Sequence, residues 1–106
     1  MIIKLNDLTT KRLEESFGDQ PGYFKIFYDT EGCGCNGVIV ILIVSEPLHT
    51  DIEIQKEPFV FLCDRQQESL FDEVMRLEAD ENYPSYKLTS DSSLFSNNIS
   101  LKDTRL

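Results

Sequence analysis

The first residues of the chain combine a short apolar run with a segment of helical periodicity. Ile2–Leu5 is mostly apolar and predicts a strand. Asn6 is a good helix N-cap, and Gly18 is a natural stop signal. Between them, three apolar residues recur at roughly helical spacing: Leu8, Leu13 and Phe17. The pattern therefore predicts an amphipathic helix over Asp7–Phe17.

Two strand patterns follow, and a glycine-rich segment separates them. In Tyr23–Asp29, alternate residues fall on one face: Phe24, Ile26 and Tyr28. Val38–Val44 is apolar at every position and rich in valine and isoleucine. This composition is typical of a central strand that is buried on both faces. The sequence therefore predicts two neighbouring strands joined by a tight loop.

The next segments predict a hairpin and a second helix. Asp51–Glu57 alternates between polar and apolar residues, and Pro58 interrupts it because proline cannot donate to a sheet ladder. Phe59–Cys63 then predicts a buried strand. Asp64, with Gln67 three residues later, resembles a capping box. We expect a helix to start there and to bury two apolar residues, Leu70 and Phe71.

The C-terminal part of the chain has weaker patterns. Val74–Ala79 is compatible with helical spacing and also with strand alternation, whereas Ser85–Ser90 favours a strand. The segment Ser90–Ser100 is rich in serine and asparagine and predicts a loop with one helical turn at Ser93–Phe95. Ile99 and Leu101 are candidates for a last edge strand. Residues 1–106 are therefore expected to form a single α+β domain, with mostly antiparallel or mixed sheets in a barrel-like or sandwich-like arrangement and two short helices.

Composition and charge limit the classes of partner. The 106 residues include 41% hydrophobic and 27% charged residues, which is a globular balance. The net charge of −9 disfavours nucleic acids and anionic membranes as partners. The N-terminal residues do not read as a secretory signal, and no apolar stretch is long enough to span a bilayer. With three cysteines, an odd number, the chain is expected to be cytoplasmic with reduced thiols.

The segment Gly32–Gly37 carries the chemistry. It contains Cys33 and Cys35, separated by one glycine, and a tight loop of this kind can present both sulfurs to one small target. Thiolates are soft ligands that suit iron, zinc and iron–sulfur clusters. Cys63 is a third candidate ligand, although a free cysteine at the end of an apolar strand is also a good packing residue. The predicted metal ligands are therefore Cys33, Cys35 and Cys63.

Gly34-Cys35-Asn36-Gly37 resembles the element that the HesB/IscA-like iron–sulfur biosynthesis family carries between two strands. The order of the predicted helix, strands and hairpin agrees with that family over roughly residues 2–90. The resemblance implies the fold of the family, a role in iron–sulfur cluster biosynthesis, and iron or an iron–sulfur cluster as what it binds. It also favours a strand over Val74–Ala79. Protein clients or a scaffold of iron–sulfur assembly are the implied partners.

One departure from the family affects the ligand set. The A-type members of the family carry a Cys-Gly-Cys pair near the C-terminus, but this chain has no cysteine after Cys63, and Ser96-Asn97-Asn98 occupies the expected region. A cluster or a structural zinc usually needs four protein ligands. A homodimer could supply four thiolates from two Cys33/Cys35 pairs. Alternatively, Cys63 could complete three, with water or a partner thiol as the fourth ligand.

Other functions are weaker interpretations of the same residues. His49, the single histidine, would have to lie within hydrogen-bond reach of a cysteine to form a nucleophilic pair. Cys33 and Cys35 could cycle as a redox dithiol, but no neighbouring cation lowers a thiol pKa. We therefore expect no catalytic activity. The alternatives are an interaction module that keeps the fold without binding metal and a thiol redox protein.

Overall fold

The computed structural model describes residues 1–29 and 37–105. Within these ranges the chain forms nine strands, one α-helix and one 3-10 turn, the last at Glu68–Leu70. In chain order the helix and strands are β1 (Ile2–Leu5), α1 (Asp7–Phe17), β2 (Tyr23–Asp29), β3 (Val38–Val44), β4 (Asp51–Gln55), β5 (Phe61–Asp64), β6 (Val74–Ala79), β7 (Tyr86–Thr89), β8 (Leu94–Ile99) and β9 (Leu101–Asp103).

The strands form two mixed sheets. One sheet has four strands in the order β1-β6-β7-β8, and the other has five in the order β4-β5-β2-β3-β9. Three pairs are parallel (β1 with β6, β2 with β5, and β3 with β9), and the other pairs are antiparallel. The prediction of an α+β fold with mixed sheets is confirmed.

A single core lies between the sheets and under α1. From the five-stranded sheet it takes Phe24, Ile26, Ile41, Ile43, Phe61 and Cys63; from the four-stranded sheet and the helix it takes Ile3, Met75, Leu77, Tyr86, Leu88, Ile99 and Leu13. Alternate residues of each strand enter the core, as a strand with one face on the core requires. Of β3, Val40, Ile41 and Ile43 are buried while Val38 is half-exposed, so this central strand is only partly covered on its second face.

Local signals set both ends of α1 as predicted. The Asn6 side chain accepts a hydrogen bond from the Thr9 amide at 2.8 Å. At the other end, Gly18 has φ +63°, and its amide donates to the Glu14 carbonyl at 3.0 Å. A left-handed residue at this position favours glycine, which explains why the helix ends here.

The predicted second helix is wrong, because the side chains of the supposed capping box bind elsewhere. Asp64 Oδ1 accepts from the Gln66 amide at 2.8 Å, which is a local Asx-type turn. The Gln67 carboxamide binds the backbone of Tyr28. Only the 3-10 turn forms, and it buries Phe71 but leaves Leu70 half-exposed.

The prediction of a loop for the serine- and asparagine-rich segment Ser90–Ser100 is also wrong. Instead of a loop with a helical turn, Leu94–Ile99 forms β8 and pairs antiparallel with β7, with register shifts along the pair. The predicted last strand through Ile99 and Leu101 is divided: Ile99 ends β8 in the four-stranded sheet, and Leu101 begins β9 in the other. Val74–Ala79 is a strand, as the family resemblance favours.

Candidate functional site

Residues 30–36, called the cysteine segment below, lie in the sequence between two strand ends that are neighbours. β2 and β3 pair antiparallel along their whole length, from Tyr23 opposite Val44 to Asp29 opposite Val38. Cys33 and Cys35 lie outside the described residues, between these paired strand ends. The two cysteines therefore belong to a short connection whose attachment points are neighbours at one end of the five-stranded sheet.

The Tyr28 side chain contacts Gly37, the residue immediately before the second attachment point, Val38. Its hydroxyl oxygen accepts a hydrogen bond from the Gly37 amide at 3.1 Å. A Cβ atom at Gly37 would lie 2.6 Å from Tyr28 Cζ and 3.0 Å from the Asp29 carbonyl oxygen. Real Cβ atoms do not approach a ring carbon this closely. Glycine at position 37 is therefore required for the ring of Tyr28 to lie where it does.

The backbone of Tyr28 is bound from the other side by a side chain. The Tyr28 amide donates to Gln67 Oε1 at 2.9 Å, and Gln67 Nε2 donates to the Tyr28 carbonyl at 3.0 Å. The carboxamide thus takes the place of a peptide group of a neighbouring strand.

Cys63 lies in the core, as a packing residue does. It has no exposed surface, and it is paired with Ile26 on one side and with Ile52 on the other. Its thiol donates to the Asp64 carbonyl with an Sγ–O distance of 3.5 Å. Burial raises the pKa of the thiol to about 11, and the carboxylates of Glu68 and Asp64 add to the effect. A thiol held in its protonated form is a poor metal ligand at neutral pH.

The buried ammonium of Lys25, whose charge acts on Cys63, forms an ion pair with a carboxylate. Lys25 lies on the face of β2 opposite the core, and its Nζ is 2.8 Å from Asp51 Oδ1, with both side chains almost fully buried. The second oxygen of Asp51 accepts from the Leu48 amide at 2.9 Å. The ammonium also lies 5.2 Å from the centre of the Phe27 ring. The ion pair joins β2 to the start of β4. The Lys25 charge lowers the pKa of the Cys63 thiol, but burial and the carboxylates of Glu68 and Asp64 outweigh it.

The other candidates do not assemble a site. Within residues 1–29 and 37–105, no group of three or more histidine, cysteine, aspartate or glutamate side chains is placed to hold a metal ion. His49 is exposed between β3 and β4. Ser96-Asn97-Asn98 lies within β8, so a strand occupies the region where the A-type members carry their cysteine pair. None of the helices described in the chain has the length and apolar character needed to cross a membrane.

Sequence reasoning missed Tyr28 and Gln67. The strand alternation puts Tyr28 on an apolar face, and the spacing of Gln67 from Asp64 predicts a capping residue. One signal pointed toward the contact: a glycine in a strand often marks a close approach by another group. Gly37 lies immediately before β3, where the sequence alone predicts only a turn.

Comparisons with known proteins agree with this fold. No curated protein matches the sequence. Similar solved structures include a candidate Fe-S biosynthesis protein from Lactobacillus salivarius (21% identity, 100% of both chains, TM-score 0.80) and one from Lactobacillus acidophilus (13% identity, 97% of this chain and 90% of that chain, TM-score 0.78). Another is Escherichia coli SufA, which is involved in biosynthesis of iron–sulfur clusters (13% identity, 83% of this chain and 77% of that chain, TM-score 0.59). At these sequence identities, the similarity shows a shared fold and nothing more.

A comparison of the sequence with family models gives the assignment that the fold alone does not. Residues 1–103 match the family described as iron–sulphur cluster biosynthesis. The match spans both sheets, α1 and the cysteine segment, so it covers the whole architecture described above. The chain belongs to the iron–sulphur cluster biosynthesis family.

Proposed function

We propose that the protein carries iron or an iron–sulfur cluster on the thiolates of Cys33 and Cys35, as a carrier or accessory factor in cluster assembly. The observation that supports this most directly is the pairing of Asp29 with Val38, which brings the two attachment points of the cysteine segment together. Both cysteines lie in the sequence between these paired residues. Soft thiolates in that region suit iron.

The ligand count argues for a second source of thiolates. One chain offers two cysteines in this segment, whereas a cluster usually needs four protein ligands. We leave Cys63 out of the proposed ligand set, because its thiol is buried in the core and burial raises its pKa to about 11. Two copies of the chain, or one copy together with a client, would complete the set. We therefore propose a homodimer or a client complex as the loaded state.

The proposed chemistry is ligand exchange without a catalytic step. Each incoming client thiol loses its proton to water and forms an Fe–S bond as one bond to Cys33 or Cys35 breaks. The departing thiolate takes up a proton, so charge balances and nothing is oxidised or reduced. A pair of thiolates on a short connection can release its cargo more readily than a closed site with four ligands.

Anaerobic reconstitution with iron and sulfide tests the proposal. We expect the wild-type protein to retain iron and to gain visible absorbance after desalting, and we expect the C33S/C35S double variant to retain none. Cys63→Ala is the matched control, because it removes the cysteine that the proposal leaves out; it should bind iron as the wild type does. Equal iron binding by wild type and double variant would refute the proposal.

A second candidate function is an interaction module that keeps the fold without binding metal. It is favoured by the lack of any cysteine after Cys63, which removes the pair that A-type family members use. The two proposals differ in one cheap measurement. Protein purified without oxygen should contain iron if the first proposal holds, and no iron even after reconstitution if the second does.

A further inference from the structure

We propose that two copies of this chain form a reversible dimer through the outer face of the five-stranded sheet. The outer face is the side of β4, β5, β2, β3 and β9 that points away from the core. This surface is independent of metal binding, because it consists of strand residues and needs no bound ion. The proposal therefore goes beyond the proposed function.

The outer face is apolar, although a sheet face that meets water is normally polar. Side chains alternate along a strand, so the residues between the core residues of β2 and β3 point outward. Apart from Lys25 and Asp29 these outward residues are all apolar: Tyr23, Phe27, Val38, Val40, Leu42 and Val44. Val40 is buried, Val38 is 51% exposed, and the other four are partly exposed. A continuous apolar surface of this kind marks a site for another protein.

The outward side of the four-stranded sheet is polar by comparison. Its register places Lys4 beside Arg76. It also places Glu78 beside Lys87. Such side chains suit a sheet face that meets water. β3, in contrast, is apolar at every position, a composition typical of a strand covered on both faces, and the core covers only one of them.

The middle row of the outer face carries opposite charges at its two ends. The register aligns one residue from each strand across the sheet: Glu53, Leu62, Lys25, Leu42 and Lys102. Glu53 lies on the edge strand β4 and Lys102 on the edge strand β9, and both are exposed. Lys25, in the centre, is neutralised by its ion pair with Asp51. The row is thus acidic at one edge, neutral in the middle and basic at the other edge.

This order of charges favours a second copy of the chain as the occupant. Two sheets that pack face to face keep their strands roughly aligned, about 10 Å apart. If a two-fold axis runs parallel to the strands along β2, then β9 of one copy lies over β4 of the other. Lys102 of each copy faces the partner's Glu53, and symmetry forms the ion pair twice. An axis across the strands would instead place like charges opposite each other.

The size of the outer face fits a dimer that dissociates on dilution. Five strands about 4.8 Å apart, up to seven residues long at about 3.3 Å per residue, cover roughly 500 Å² per copy. Roughly 1,000 Å² in total is at the lower limit for a specific interface. The charge of −9 on each chain opposes association. Asp29 and Asp64, which are also charged, end β2 and β5 and so lie at the border of the face.

Sedimentation velocity of the metal-free protein tests the proposal. EDTA and a reductant are present, so that neither a metal nor a disulfide joins the copies. We expect monomer at low micromolar and dimer at high micromolar concentration. Lys102→Glu and Glu53→Lys each turn both symmetric attractions into repulsions, and each should weaken the dimer about tenfold or more. The double variant Lys102→Glu/Glu53→Lys restores opposite charges and should recover most of the affinity.

Two further variants separate this surface from general effects. Lys4→Glu makes the same change of charge on an exposed residue of the four-stranded sheet and should dimerise as the wild type does. Leu42→Asp places a charge in the middle of the interface and should abolish the dimer. Thermal melts show whether Leu42→Asp is folded. If it is not, the variants of the exposed residues Lys102 and Glu53 still decide the question.

A zero-length carbodiimide cross-link tests the orientation of the two copies. Within one chain, Glu53 and Lys102 are four strand spacings apart, about 19 Å, which is too far for such a link. In a mixture of isotope-labelled and unlabelled protein, we expect Lys102 of one copy to be joined to the partner's Glu53. A chain that stays monomeric, or a dimer that all the interface variants leave unchanged, would overturn the proposal. Iron binding is measured separately by reconstitution, so either proposal can fail without the other.

Discussion

At the scale of single residues, the buried hydroxyl of Thr9 connects two elements through its hydrogen bonds. Thr9 is fully buried in the first turn of α1. Its hydroxyl donates to the Asn6 side chain and accepts from the Ala79 amide at 2.7 Å. The hydroxyl therefore joins the cap of the helix to the last residue of β6. An apolar side chain of the same shape cannot replace this connection.

Thr9→Val should destabilise the protein by about 1–3 kcal/mol, because the valine leaves the partly buried Ala79 amide without its acceptor. Urea denaturation followed by circular dichroism measures this free energy. Thr9→Ser keeps the hydroxyl and is the control; it should lose less stability. A valine variant as stable as the wild type would show that the amide finds another partner.

The Cys63 thiol gives a pH-dependent prediction. Its pKa is raised from 9.0 to about 11 in the folded state, so between these values the folded chain binds a proton that the unfolded chain has released. Stability from this group is complete below pH 9 and is lost as the pH rises through 11. The size of the loss is about 2–3 kcal/mol.

Comparing wild type with Cys63→Ala isolates this effect, because tyrosines and lysines titrate in the same range in both proteins. The stability difference between the two proteins should shrink, or change sign in favour of Cys63→Ala, between pH 9 and pH 11. Denaturation curves at several pH values measure it. A difference that is constant across this range would mean that the folded and unfolded thiols titrate alike.

At the scale of elements, a glutamine side chain joins the two sheets at their edges. Gln55, the last residue of β4, accepts from the Ile3 amide at 2.7 Å and donates to the Ile3 carbonyl at 2.9 Å. β4 and β1 are edge strands of different sheets. The carboxamide therefore satisfies backbone groups that no strand reaches, as Gln67 does for Tyr28.

Gln55→Leu should cost about 1–3 kcal/mol in stability, because it leaves both backbone groups of Ile3 without these partners. The stability of Gln55→Glu should lie between that of Gln55→Leu and that of the wild type, since glutamate keeps the acceptor and loses the donor. Chemical denaturation ranks the three proteins. Gln66→Leu, at an exposed position, is the control. If Gln66→Leu loses as much stability as Gln55→Leu, the contact between the sheet edges has no specific role.

The elements that the sequence predicts well are those whose signals are local. α1 has its cap and its stop glycine within the element, and β3 has an unbroken apolar run. β8 has no such signal, because Ser96, Asn97 and Asn98 favour loops in isolation. It forms because β7 offers a partner and because Ile99 is buried at its end. Tertiary pairing overrides local preference here.

The supporting contacts of the candidate site were unpredictable for the same reason. Gln67 binds a backbone 39 residues away, and its spacing from Asp64 matches a helix signal that the fold does not use. Asp51 reads as the solvent face of a half-exposed strand, yet it is buried against Lys25. The cysteine segment is recognised from the sequence alone, because its glycines and thiols are adjacent there, and its metal binding stays a prediction.

At the scale of the whole molecule, the C-terminal residues complete the N-terminal helix. The last turn of α1 contains no basic residue to interact with its free carbonyls. Arg105 supplies one from the other end of the chain: its guanidinium donates to the carbonyls of Phe17 at 2.7 Å and Gln20 at 2.6 Å. It also lies 4.9 Å from the centre of the Phe17 ring. A cation at this position is favourable for a helix C-terminus.

The close fit around Arg105 explains a second glycine. A Cβ atom at Gly22 would lie 2.7 Å from Arg105 Cδ and 2.9 Å from the Val44 carbonyl oxygen. The guanidinium also donates to Asp103, and these hydrogen bonds lower the pKa of the Asp103 carboxyl. The side chain is thus bound along its length. This fixes the segment after β9 against the turn that follows α1.

Arg105→Gln should lower the melting temperature and speed amide exchange in the last turn of α1, because the helix carbonyls lose their donors and the favourable charge. Arg105→Lys keeps the charge but replaces the planar fork of donors by one compact ammonium, which cannot reproduce all of these contacts, so its melting temperature should be intermediate. Lys102→Gln removes a positive charge from an exposed residue of β9 and should change neither measurement. If Arg105→Gln accelerates exchange throughout the protein and not first in α1, the C-terminal segment stabilises the molecule as a whole rather than through the helix.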